Sequence, residues 1–323
     1  MTKMIRVILF VGFSLIMLAL PGHTAEKAYP SRSIEFIITY EPGGNTDILS
    51  RVYIEELKNI LKVPIIPVNK PGAGGAIGTT YIMNAKSDGY TIGAVSAGAM
   101  VISPIIEAKL PYKRSDLTMI GQIVNFPFGI FVRADAPWKN LKELADYAKA
   151  NPGKLRGAVG GPTGAPALLL EAFKMQAGGL NIINIPSKGG ASMATAILGG
   201  NTEICSDTVS AEANLLKAGR VRGLAITDKF PSLPDLPTFE EAGFPGITVP
   251  SWNAAIAPKG LPKNVMDKLV AAFEKAAKSQ KVVERLNKQF INADFVGPEA
   301  FTKRLVQEDA AIREIVKKLG LIK

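Results

Sequence analysis

The chain has 323 residues, of which 47% are hydrophobic and 20% are charged, and its formal net charge is +10. This balance is typical of a globular protein. The sequence has one histidine, His23, and one cysteine, Cys205. Cys205 therefore has no partner for an internal disulfide, and a cysteine metal cluster is excluded.

The N-terminus, residues 1–25, is predicted to be an export signal. Lys3 and Arg6 form a basic start, Val7–Leu20 is apolar, and small residues follow to Ala25. The apolar run is shorter than the ~20 residues of a membrane-spanning helix, so an uncleaved anchor is the less favoured alternative. Removal of 25 of the 323 residues would leave 298, with a charge of +8 because Lys3 and Arg6 are lost. We therefore expect a periplasmic protein.

Loss of the signal would also remove the only histidine, His23. Histidine-based nucleophilic catalysis and histidine-ligated metal sites are then excluded. The positive charge favours anionic partners, but the basic residues are scattered, and those near the C-terminus alternate with Glu274 and Glu284. Nucleic acid is therefore not an expected partner, and no cofactor or metal is expected.

Hydrophobic periodicity predicts strands alternating with helices from residue 34 onward. The predicted strands are 34–40, 64–68, 90–95, 128–132, 155–159, 182–185, 203–205, 222–227 and 252–257. Helices are predicted from Asp47, over 140–150, 165–176 and 190–198, and in a series after Pro262. This order predicts an α/β protein with mostly parallel sheets flanked by helices, and the length predicts two lobes.

Glycine-rich loops follow several predicted strands. The loops are 43–47, 96–100, 160–165 and 187–191. Each lies between the carboxyl end of a strand and the start of a helix, where ligands bind in open α/β sheets. Because helix N-termini present unpaired N–H groups, these loops predict a site for a carboxylate or a phosphate.

A nucleotide site is not supported. The segment Gly72–Gly78 has the spacing GxGxxxG and follows turn residues, and GxxxxGK[ST] does not occur in the sequence.

Several individual side chains are candidates for a structural or a functional role. Asp47 is predicted to be the N-cap of its helix, and Asp207 is predicted to face the cleft after its strand. Lys188 either pairs with a ligand carboxylate or is solvated. Trp252 is a core residue or, less favoured, a cleft wall, and Cys205 is predicted to be buried in a strand.

Ordered motifs carry a family resemblance over nearly the whole chain after the signal. They are Tyr29-Pro30-Ser31, Pro42-Gly43-Gly44 with Thr46-Asp47, Asn69 with Pro71-Gly72-Ala73-Gly74-Gly75 and Ile77-Gly78, Asp88-Gly89-Tyr90-Thr91, Lys188-Gly189-Gly190, Leu233-Pro234-Asp235-Leu236-Pro237-Thr238, Glu241-Ala242-Gly243 and Ser251-Trp252. The sequence resembles the Bug family, the periplasmic solute-binding proteins of tripartite tricarboxylate transporters.

The resemblance implies a two-lobed Venus flytrap that holds a carboxylated solute between its lobes. It implies lobe 1 at 26–124 with 252–323 and lobe 2 at 125–251, with crossovers near 124–127 and 225–252. The implied ligand contacts are Gly44, Asn45, Thr46, Asp47, Gly75, Ala76, Ser96, Ala97 and Gly98 in lobe 1, and Thr163, Gly164, Ala165, Ser187, Lys188, Gly189 and Asp207 in lobe 2.

Two positions depart from the family pattern. Pro166 stands where a histidine is common, and Ser187 where a tyrosine is common. Both changes shrink the second-lobe wall, which leaves room for a bulkier, aromatic ligand.

The resulting hypothesis is a monomeric binding protein that delivers a di- or tricarboxylate, an aromatic acid or an amino acid to a membrane permease. A ligand-sensing partner of a sensor kinase is the alternative. A carboxylate-specific enzyme would need two converging carboxylates, and the sequence marks only one in the second lobe.

Overall fold

The computed structural model describes residues 28–107, 109–160, 164–187, 190–230 and 232–322. The predicted signal, residues 1–25, lies outside the described residues, as do three predicted ligand contacts, Thr163, Lys188 and Gly189. Within the described ranges, no helix has the length and apolarity needed to cross a membrane.

Eleven strands form two sheets in the described part of the chain. The first sheet contains β1 (Ile34–Ile38), β2 (Ile65–Asn69), β3 (Thr91–Ser96), β4 (Leu117–Asn125), β10 (Trp252–Pro258) and β11 (Asn292–Val296). Their order is β11-β4-β10-β3-β1-β2. The pairs of β1 with β2 and β3 are parallel, whereas β10 is antiparallel to both β3 and β4.

The second sheet contains the remaining strands, β5 (Phe128–Arg133), β6 (Leu155–Val159), β7 (Ile182–Pro186), β8 (Ile204–Thr208) and β9 (Val221–Ile226). Their order is β7-β6-β8-β5-β9. β6 is parallel to β7 and β8, and β5 is antiparallel to β8 and β9. Both sheets are thus mixed rather than mostly parallel, because β5 and β10 each enter a sheet from the opposite lobe.

Helices cover both sheets. They are α1 (Asn45–Leu61), α2 (Ala76–Met83), α3 (Ser103–Ile106), α4 (Leu141–Ala150), α5 (Ala165–Gln176), α6 (Gly190–Leu198), α7 (Val209–Lys217), α8 (Lys263–Ala277), α9 (Gln280–Asn287) and α10 (Pro298–Lys318). A π-helical turn, Gly98–Ile102, leads directly into α3. The two-lobed α/β fold predicted from the sequence is confirmed.

The chain passes between the sheets at two adjacent places. β4 ends at Asn125 and β5 begins at Phe128, while β9 ends at Ile226 and β10 begins at Trp252. The two passages are hydrogen-bonded to each other, since the Phe126 N–H donates to the Ser251 carbonyl over 2.5 Å. The first connection has two residues and the second has 25, and they lie side by side where the chain changes sheet.

The C-terminal helix α10 also touches both lobes, because it packs on β4 and on α5. Its Glu308 is only 3% exposed and accepts hydrogen bonds from Trp252 Nε1 at 2.8 Å and from Arg304 Nε at 2.7 Å. The indole of Trp252 packs edge-on against Phe301, with ring centroids 4.7 Å apart. A buried, charged network therefore fixes α10 against the start of β10.

Candidate functional site

A cavity of about 600 Å³ lies between the two sheets. Eight residues predicted to contact a ligand line it: Gly44, Asn45, Thr46, Ser96, Ala97, Gly98, Gly164 and Ala165. The structure thus brings the first, second and third glycine-rich loops together from both lobes. Their contact with a ligand stays a prediction.

The N-terminus of α1 forms one end of this cavity. The first N–H groups of a helix have no partner within the helix, so they are available to an anion. Thr46 Oγ1 accepts a hydrogen bond of 2.9 Å from the buried Asn253 Nδ2. Because its oxygen is occupied by this donor, and no described residue is bonded to its proton, Thr46 is oriented to donate.

Asp47 does not cap α1, so the N-cap prediction is wrong. The helix begins at Asn45 with Gly44 as its N-cap, and Asp47 occupies the third helical position. From there its carboxylate accepts a hydrogen bond of 3.0 Å from the N–H of Gly43, the residue before the N-cap. Asp47 is 4% exposed and does not line the cavity.

Three donors determine the charge state of Asp47. Burial would raise the pKa of Asp47, but hydrogen bonds from Arg51, Gly43 and Asn69 outweigh it and lower the pKa overall. Arg51 Nε and Asn69 Nδ2 each lie 2.9 Å from Asp47 Oδ1. The carboxylate therefore fixes the loop that carries Thr46 and is placed to support a ligand contact rather than to make one.

The third strand, β3, ends at Ser96, whose hydroxyl is hydrogen-bonded to that of Tyr40. Tyr40 Oη donates to the Gly74 carbonyl at 2.9 Å and lies 2.6 Å from Ser96 Oγ. With the tyrosine proton on Gly74, Ser96 donates its own proton to Tyr40. Ser96 thus orients Tyr40, and burial raises the pKa of the Tyr40 hydroxyl.

Gly75 and Ala76 lie beside this pair without lining the cavity, whereas Gly74 lines it. Gly75 has a positive φ of 97°, and a Cβ there would lie 3.4 Å from the Tyr40 ring. The loop therefore contacts the cavity one residue earlier than the sequence predicts.

The second lobe contributes the start of α5. Gly164 is its N-cap, and a Cβ there would lie 2.8 Å from the Gly160 carbonyl, so a larger residue would displace the loop. Pro166 fits the first helical turn, where no N–H is needed. Ser187 lies at the end of β7 with its N–H donating to the Val159 carbonyl at 2.8 Å, and it does not line the cavity.

Asp207 does not face the cavity, which corrects the prediction. It lies inside β8 and is 6% exposed, whereas the next residue, Thr208, lines the cavity. Successive side chains of a strand point to opposite faces, so Asp207 shares its face with Cys205. The Asp207 carboxylate accepts the Thr208 N–H at 2.7 Å through Oδ1, and Oδ2 has no partner among the described residues.

Behind the cavity, Cys205, Asp207 and Glu212 place their side-chain ligand atoms within 4.8 Å of one another, and all three are buried. Burial raises the pKa of Asp207 to about 6 and that of Glu212 to about 7, and it raises the pKa of the Cys205 thiol as well. Each of the three groups therefore keeps its proton to a higher pH than it would in water.

Other lining residues were not predicted as contacts. They are Tyr40, Gly74, Ile102, Ser103, Ile106, Glu107, Phe126, Phe128, Gly160, Thr208, Pro250, Ser251, Trp252 and Asn253. Trp252 is 1% exposed and is thus a core residue whose edge reaches the cavity. The four-residue spacing of Ile102 and Ile106, and the predicted crossovers, were the signals that would have identified this wall.

A family model described as "Tripartite tricarboxylate transporter family receptor" (TctC) matches residues 49–321. The chain belongs to this family. The resemblance to the Bug proteins is thereby confirmed. This TctC protein is 27% identical to Protein BugT of Bordetella pertussis, over 98% of each chain.

Solved structures agree with this assignment. A TctC solute-binding protein from Polaromonas is 29% identical, with a TM-score of 0.82, over 90% of this chain and 99% of that chain. Rpa4515 of R. palustris, solved with adipate, is 26% identical, with a TM-score of 0.73, over 90% of this chain and 98% of that chain. The TctC protein therefore shares its fold with solute-binding proteins.

Proposed function

We propose that this TctC protein is a periplasmic solute-binding protein that holds a small organic carboxylate between its lobes without chemical turnover. One observation carries the proposal: the cavity is lined by the starts of α1 and α5 and by the π-helical turn after β3, from both lobes. Helix starts favour negative charge through free N–H groups and the helix dipole. The adipate bound to the relative from R. palustris supports a carboxylate as the ligand.

The ligand's carboxylate would lie against backbone N–H groups of Asn45, Gly98 and Ala165 and against the Thr46 hydroxyl. Closure of the lobes would exclude water from these donors, and a charge-assisted hydrogen bond is stronger in such surroundings. Asp47 would act by fixing the first loop. Thr163, Ser187, Lys188 and Gly189 complete the proposed contact set in the second lobe.

The proposed lobes are residues 26–124 with 252–323, and residues 125–251. The change of sheet between Asn125 and Phe128, and again between Ile226 and Trp252, supports these boundaries. We propose that they close by a hinge motion in a monomer and that the closed form delivers its ligand to the membrane permease of a tripartite transporter. The family description supports this partner.

A thermal-shift screen tests the proposal, because a ligand that binds only the native state raises the melting temperature. The panel contains di- and tricarboxylates, aromatic acids and amino acids, with sugars and divalent cations as controls. At least one carboxylate is expected to raise the melting temperature. A shift with a sugar or a cation but with no carboxylate would overturn the proposed function.

A further inference from the structure

One wall of the interlobe cavity is a helical stripe from Gly98 to Glu107. Between these ends, Ile102, Ser103 and Ile106 also line the cavity. With a rise of about 1.5 Å per residue, less in the π-helical turn, Glu107 lies roughly 12 Å along the helix from Gly98. The wall therefore runs from the backbone N–H groups near Gly98 to the carboxyl group of Glu107.

Glu107 is held by its own helix. Ser103 Oγ donates a hydrogen bond of 2.6 Å to Glu107 Oε1, which fixes the carboxylate on the cavity side. Among the described residues that line the cavity, Glu107 is the only one with an ionisable carboxyl or a basic group. None of the ion pairs among the described residues includes Glu107. Its negative charge is thus not paired with a basic side chain of the described residues.

Apolar side chains occupy the space between the two ends. Ile102 and Ile106 line it from the first lobe, and Phe126 and Phe128 line it from the crossover into the second lobe. Phe126 is 8% exposed and Phe128 is 9% exposed, so only their cavity-facing edges are open. An apolar ligand body would bury these edges and gain the corresponding hydrophobic contribution.

These observations define an asymmetric site, and the inference rests on the function proposed above. We propose that Glu107 determines specificity: the ligand carries one carboxylate, an apolar body, and a cationic group at the far end. A carboxylate at the helix starts would place the far end of such a ligand near Glu107. A cation there is attracted, and a second carboxylate is repelled.

Two matched pairs of compounds test this by isothermal titration. 4-(Aminomethyl)benzoate and terephthalate share a ring and one carboxylate, and 6-aminohexanoate and adipate share a chain. In the wild-type protein, at least one cationic compound is expected to bind about fivefold or more tightly than its dicarboxylate. About fivefold is the attraction of unit charges about 4 Å apart in water, and repulsion of the second carboxylate adds to it.

Glu107→Gln keeps the size of the side chain and removes its charge. The cationic compound is then expected to bind at most about twofold more tightly than its dicarboxylate. Glu299→Gln is the control with the same change of charge, since Glu299 has an 87% exposed side chain on α10, outside the cavity lining. It is expected to keep the wild-type ratio. Melting temperatures of both variants, measured without ligand, establish that they are folded.

Three results would overturn the role of Glu107. They are tighter binding of the dicarboxylates by the wild-type protein, an unchanged ratio in Glu107→Gln, and binding of other carboxylates with none of these four compounds. In each of them the proposed function survives, because a carboxylate still binds. If no carboxylate of any kind binds, the proposed function itself fails.

Discussion

Removal of the Thr46 hydroxyl is the sharpest single perturbation of the proposed site. Thr46→Val keeps the shape of the side chain but removes both the donor that faces the cavity and the acceptor for Asn253 Nδ2, 2.9 Å away. The variant should therefore lose affinity for the ligand and also lose some stability, and the two effects are measured separately.

The magnitudes follow from the two lost hydrogen bonds. A hydrogen bond to a charged group contributes about 1.5–3 kcal/mol, which corresponds to a Kd about 10- to 150-fold higher. A buried donor without a partner costs about 1–3 kcal/mol, so the free energy of unfolding should fall by that amount because Asn253 is 3% exposed. Thr46→Ser restores both bonds, and its Kd should stay within about threefold of the wild-type value.

Isothermal titration with a carboxylate from the thermal-shift screen measures the affinity, and urea unfolding measures the stability. Thr80→Val is the matched control, since Thr80 Oγ1 bonds the Ala76 carbonyl in α2 and does not line the cavity. Its Kd should not change. If Thr46→Val binds the carboxylate as tightly as the wild type, the hydroxyl makes no contact with the ligand and the reasoning is wrong.

Three further predictions concern the surroundings of the site. Tyr40→Phe should lower the free energy of unfolding by about 1 kcal/mol in urea. Its Kd should change by less than about threefold, because the tyrosine proton is bonded to the Gly74 carbonyl; a larger loss of affinity would mean that Tyr40 contacts the ligand. Glu308→Ala should lower the unfolding free energy by about 1–3 kcal/mol, since it leaves the buried Trp252 indole N–H unpaired while the half-buried Arg304 keeps its bond to Gln122; a change below about 0.5 kcal/mol would contradict this. Burial raises the pKa of Glu212 from 4.5 to about 7, so the folded state keeps a proton that the unfolded state releases. The free energy of unfolding should therefore fall as the pH rises from 4.5 to 7, and Glu212→Gln should flatten this slope in urea titrations at several pH values; an unchanged slope would refute the assignment.

The fold was largely predictable where periodicity and turn residues agree. The helices 165–176 and 190–198 and the strand 155–159 have the predicted bounds. β4 and β11 were not predicted, because Gly121 and Gln122 interrupt β4 and Asp294 interrupts β11. β4 forms because it pairs with β10, and β11 forms because it pairs with β4. Both partners are distant in the chain, so the local sequence does not indicate these pairings.

The site was predictable where glycine marks a turn after a strand. The first three loops line one cavity for that reason, since the ends of neighbouring strands meet at one edge of a sheet. Asp207 was misplaced because the prediction ended β8 at Cys205, three residues early, and one residue decides which face of a strand a side chain occupies. Glu107 was missed because an exposed acid at a helix end resembles any solvated residue until the opposite lobe is in place.

The most direct test of the account compares an acid with its amide. The carboxylate with the largest thermal shift and the primary amide of the same compound are titrated into the wild-type protein at pH 7. The account predicts micromolar binding of the acid and binding of the amide at least about 30-fold weaker, since the charged form alone gains charge-assisted hydrogen bonds. Equal affinity for acid and amide would contradict it, because the cavity would then recognise shape without charge.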